Sequence, residues 1–144
     1  MRTLMTSLAV LAGCTMMHPS SSTVALHSTD RTPAATGEVR AIPAPNGNTN
    51  VTITVDHLAP PQRIAQDATT YVVWIVPKGS SVHDSTGTAA PANAGQIRLG
   101  SDLHAELQVV TPYKEFQVEI TPEHSAMEQQ PTGAPVLSAN VDRG

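Results

Sequence analysis

The sequence predicts an all-β domain, an immunoglobulin-like antiparallel β-sandwich of about seven strands, with a small antiparallel barrel as the alternative. Three observations carry this expectation. Apolar side chains recur at every second position in several short segments, as half-buried strands require. One segment, Tyr71-Val72-Val73-Trp74-Ile75-Val76, is apolar at every position, so it belongs at the centre of a sheet covered on both sides. Finally, 12 prolines and 9 glycines punctuate the chain, and no segment sustains a 3.6-residue period.

The chain opens with Met1 and Arg2, a mostly apolar stretch over residues 3–10, and then Leu11-Ala12-Gly13-Cys14. That run is too short to span a bilayer, which takes about 20 apolar residues, but it suits a secretory signal. Cys14 is the single cysteine, so no intramolecular disulfide is possible. A buried thiol in an N-terminal helix is the plainer alternative. The Leu-Ala-Gly-Cys run resembles the lipobox of bacterial lipoproteins. The resemblance implies a signal peptide over residues 1–13, cleavage before Cys14, and diacylglycerol and palmitate-type acyl chains on that residue. Each buried methylene contributes about 0.8 kcal/mol, so two or more chains hold a protein on a membrane firmly. Thr15 stands where lipoproteins retained at the inner membrane of Gram-negative cells often carry Asp, which favours the outer membrane in such a cell.

Residues 14–36 form a lipidated cysteine followed by a Ser/Thr-rich stretch with Pro19 and Pro33, read as a flexible tether. The sandwich is assigned to residues 37–144. Residues 50–58 place Val51, Ile53 and Val55 on one face and Thr52, Thr54 and Asp56 on the other. Residues 71–76 form the central strand, with Trp74 the leading core candidate and Tyr71 beside it. In residues 103–109, Leu103, Ala105, Leu107 and Val109 alternate with His104, Glu106 and Gln108. Phe116, Val118 and Ile120 then alternate with Gln117, Glu119 and Thr121. Weaker strands are expected over 38–42, 96–99 and 135–141, the last with Leu137, Ala139 and Val141 inward. Residues 62–68 form at most a brief helical turn. Prolines at 43, 45, 60, 61, 77, 91, 112, 122, 131 and 135 fall at or between these strand ends, where no ladder N–H is needed.

The sandwich also carries a family resemblance. Leu58-Ala59-Pro60-Pro61 precedes Tyr71-Val72-Val73-Trp74, and Ile120-Thr121-Pro122-Glu123 is followed by Pro131-Thr132-Gly133. This pattern resembles the extracytoplasmic C-terminal domain of anti-sigma-K-type factors, which implies a β-sandwich displayed outside the cytoplasm. The family's Gly-Gly in the last loop is Ala126-Met127 here. The family's sigma-binding activity belongs to an N-terminal helical domain and a membrane-spanning helix that this sequence does not contain, so sigma binding is not implied.

Charged residues make up 14% and the formal net charge is -4, which argues against a nucleic-acid partner, since that needs clustered Lys and Arg. No phosphate-binding glycine loop and no Gly-x-Ser-x-Gly elbow is present. Ser80, Ser81, His83 and Asp84 crowd one polar loop, which reads as solvated sequence and not as a triad. The six histidines show no His-x-x-x-His spacing, and His104-Ala105-Glu106 lacks the paired cysteines of a zinc deaminase. His124 with Met127, or Met16 and Met17 with His18, are the residues a copper reading would use. Glu106, Glu115, Glu119, Glu123 and Glu128 supply carboxylates for a glycosidase reading, but four aromatics leave few sugar platforms.

The expected function is therefore a non-enzymatic, lipid-anchored envelope protein without catalytic residues, cofactor or metal. It would be held to the membrane through Cys14 and would recognise an envelope protein or other envelope component through loops 78–92 and 124–134. A copper-binding protein and a cryptic hydrolase are the two alternatives.

Overall fold

The computed structural model describes residues 20–78 and 90–144. Nine strands and one short helix follow in order: β1 (Ser22–Ala25), β2 (His27–Ser28), β3 (Thr36–Pro43), β4 (Thr49–Asp56), α1 (Pro61–Ile64), β5 (Thr70–Pro77), β6 (Ala92–Ile97), β7 (Ala105–Thr111), β8 (Glu115–Glu123) and β9 (Leu137–Asp142). They form two antiparallel sheets, β1-β3-β4-β7 and β2-β9-β8-β5-β6, stacked as a sandwich. All seven expected strands are present as β3 to β9.

Alternation decides what lies between the sheets. Val51, Ile53 and Val55 of β4 face Tyr71, Val73 and Ile75 of β5, Phe116, Val118 and Ile120 of β8, and Leu137, Ala139 and Val141 of β9, all essentially buried. Trp74 is also fully buried, but it lies outside that interior. Together with Val72 and Val76 it occupies the opposite face of β5, and these three form a separate apolar cluster on the outer side of the five-stranded sheet. A strand apolar at every position thus carries two cores.

The stretch read as a tether is corrected over its second half. Residues 22–28 are β1 and β2, pairing with β3 and β9 respectively, and Leu26, Thr32 and Ala35 are buried. Thr32 anchors this segment further, its hydroxyl donating to the Val136 carbonyl at 3.0 Å. Val24 and Leu26 alternate inward, and the surrounding Ser and Thr suit an edge strand as well as a spacer.

Two smaller differences have local causes. Leu103 does not begin the seventh strand: it sits in a turn at φ 61°, and β7 starts at Ala105. Leu107 and Val109 are half-buried because β7 is the open edge of its sheet. Pro122, expected beyond a strand end, lies within β8 opposite Tyr71. Its missing N–H costs no ladder bond. The Val136 N–H donates to the Ile120 carbonyl, so even-numbered residues of β8 point towards β9, and β9 pairing stops at Ile120.

Candidate functional site

One end of the sandwich carries the starts of β5 and β9 and the ends of β4, β6 and β8; three connections meet there. The first is the β4–β5 connection. His57 adopts φ 57°, Leu58 is buried, and Pro61 opens α1, where its missing N–H is harmless. Tyr71 pins this turn from beneath, its hydroxyl donating to the Ala59 carbonyl at 2.8 Å. Burial pushes the Tyr71 hydroxyl up to about 12, with Arg31 acting weakly in the opposite direction, so it remains a donor at neutral pH.

The second connection joins β6 to β7. Gly100 N–H donates to the His104 carbonyl and Leu103 N–H to the Gly100 carbonyl, closing a tight turn. His104 does not project idly: its Nδ1 lies 2.7 Å from Asp56 Oδ1 at the end of β4. That hydrogen bond, with the nearby Asp56, Asp102 and Glu106 charges, raises the imidazole above its usual value.

The third connection, residues 124–134, lies back along the outer face of the five-stranded sheet. Glu123, which is 1% exposed, holds it. Its carboxylate accepts from Thr121 Oγ1 at 2.5 Å, from the Thr132 N–H at 3.0 Å and from the Thr132 hydroxyl. The same Thr121 oxygen accepts from Trp74 Nε1 at 2.8 Å, so the indole, a hydroxyl, a carboxylate and the loop form one chain. Asn93 Nδ2 donates to the Ala126 and Glu128 carbonyls, and Thr69 Oγ1 to the His124 carbonyl. Buried polar groups satisfied in this way fix a single arrangement.

A groove of about 450 Å³ opens between these connections, with Pro60, Pro61, Leu99 and Leu103 as apolar walls and Ala126 on the third side. Arg98 is the charged residue lining it. With the Gln96 amide oxygen turned towards it, the guanidinium donates from Nη2 at 2.7 Å and from Nε at 2.9 Å. Such volumes match those of ligand clefts, about 300–1,000 Å³.

Loops 78–92 and 124–134 leave their strands at opposite ends of the sandwich. The first is rooted at Lys78, where β5 ends beside Glu115, at the opposite end of the sandwich from the groove, and its residues 79–89, including Ser80, Ser81, His83 and Asp84, lie outside the described residues. Cys14, with Met16, Met17 and His18, also falls outside them. His124 uses Nδ1 to donate to the Asp67 carbonyl, while Met127 is 79% exposed. Among the described residues no three His, Cys, Asp or Glu side chains converge as metal ligands. No described helix is long and apolar enough to cross a membrane. Sequence reasoning named Glu123 as a candidate carboxylate and Thr132 within a motif but not the bond between them, and it missed Gln96 and Arg98 as site residues. The available signal was the doubly apolar strand, which requires something to cover its outer face.

No family model and no curated protein matches the chain. Among solved structures, the chain is similar to the crystal structure of the clock protein EA4, with a TM-score of 0.54 and 11% identity, covering 88% of this chain and 96% of that one. This likeness is one of fold.

Proposed function

We propose that the protein is a non-enzymatic, lipid-anchored cell-envelope module that uses the groove at the far end of its sandwich to engage another envelope component. The observation that carries this reading is the groove itself, walled by apolar residues and bounded by a loop that Glu123 and Asn93 hold in place. Rigid loops on a sandwich are a common platform for recognition. The Leu11-Ala12-Gly13-Cys14 run supports anchoring, and the likeness to anti-sigma-K-type C-terminal domains supports display outside the cytoplasm.

The two parts of the proposal agree in orientation. Only seven residues separate Cys14 from Ser22, the first residue of β1, a reach of about 28 Å when extended. β1 begins beside Ala41, near the 44–48 turn, at the end opposite the groove. An anchor at Cys14 therefore joins the sandwich at the end opposite the groove.

Two measurements in intact cells test this. Cys14→Ala should abolish palmitate labelling and release the protein from membranes; unchanged fractionation overturns the anchor. A photoreactive side chain at Leu99 should capture a discrete envelope component, whereas one at Asn46 in the opposite turn should not. Equal capture from both ends, or none from Leu99, overturns the groove as contact site.

A further inference from the structure

The ladder geometry says more about what the groove can hold. β6 is an edge strand, paired with β5 alone. On β5, Lys78 N–H reaches the Glu115 carbonyl, so even-numbered positions of that strand point towards β8 and odd-numbered ones towards β6. Tyr71 is therefore the residue that bonds Ile97 opposite it, which turns the backbone N–H and C=O of Gln96 and Arg98 outward. No described strand pairs with that side.

Side chains from both faces of this edge line the groove: Gln96 and Arg98 from one, Ile97 and Leu99 from the other. The groove therefore reaches the open edge, and Thr69, Thr70 and Tyr71 line it from the β5 side as well. An unpaired edge is a template for another strand. The charge along it is defined as well. Arg98 forms no ion pair among the described residues, and Gln96, a neutral amide, orients the guanidinium while leaving its remaining donors available. Against a net charge of -4 for the whole chain, the groove presents a cation.

Building on the groove as contact site, we infer that its occupant is an extended peptide segment carrying a carboxylate. The segment adds as a short strand to the edge at Gln96 and Arg98, its carboxylate meets the Arg98 guanidinium, and an apolar neighbour packs on Pro60, Pro61 and Leu103. Main-chain bonds give such a segment its affinity, and the side-chain contacts give it selectivity. The 450 Å³ groove suits only a few residues, which fits a recognition tail or loop better than a long strand.

The probe is an N-acetylated octapeptide of alternating threonine and valine with one central glutamate, titrated into the full chain in detergent micelles. It should bind saturably and slow amide exchange at Gln96 and Arg98 by at least tenfold. Replacing its glutamate with lysine, or N-methylating alternate peptide bonds, should each weaken binding at least tenfold. Arg98→Glu, a change at an exposed side chain, should invert the preference towards the lysine peptide. Absence of saturable binding overturns the inference, as does binding indifferent to charge and N-methylation. If the peptides fail while Leu99 still captures a component in cells, strand addition falls and the contact role stands.

Discussion

The outer faces of the two sheets meet the surroundings in opposite ways. On β4, the outward residues Asn50, Thr52, Thr54 and Asp56 are exposed or half-buried and polar. On β5, the outward residues Val72, Trp74 and Val76 are as buried as the interior. The first face is kept in solution by its own side chains. The second requires a cover, and the 124–134 loop runs back along it, held by bonds to Glu123 and Asn93. The difference teaches where function sits: the held loop contributes a wall to the groove, while the open face contributes none.

Breaking the covered face should be costly. Trp74→Ala removes the largest side chain of the outer cluster and leaves the Thr121 hydroxyl without its indole donor, so it should lower unfolding stability by about 3–5 kcal/mol in urea titration. Leu26→Ala should cost about 2–5 kcal/mol in the same assay, because Leu26 packs into the interior; a loss near zero would return residues 22–28 to the tether. Glu123→Ala leaves the Thr132 N–H without its acceptor and should cost about 1–3 kcal/mol.

The open face should respond weakly. His104 is raised by its bond to Asp56, so the stabilisation from this pair is complete below the unfolded-state pKa of the imidazole. It is lost as pH rises through the higher folded-state value. Stability measured across that window should decline slightly in the wild type, and the decline should vanish in Asp56→Asn. Thr52→Ala, smallest of all, should stay within about 0.5 kcal/mol of wild type.

Much of this architecture was legible in the residues. Alternation located most of the strands from β3 to β9 and the continuous apolar run located β5, and the burial of Tyr71, Trp74, Phe116, Val118 and Ile120 follows from the two patterns. The strands β1 and β2 were not legible: they are short, and Ser and Thr serve an edge strand and a spacer equally. Nor did periodicity say which face of β5 Trp74 occupies, because a run apolar at every position has no phase. The groove was hidden for a different reason. Arg98 and Gln96 belong to no spaced motif, the motif that holds Glu123 does not say what its carboxylate binds, and only the pairing of β5 with β6 and β8 brings their segments to one end.

Trp74 is the only tryptophan in the chain, so its fluorescence reports the covered face without ambiguity. The most direct test is acrylamide quenching of that emission in the wild type, in Glu123→Ala and in Thr52→Ala. The indole should be shielded and blue-shifted in the wild type and in Thr52→Ala, and markedly more quenched once the Glu123 carboxylate is gone. An indole freely quenched in the wild type, or equally shielded without Glu123, would contradict this.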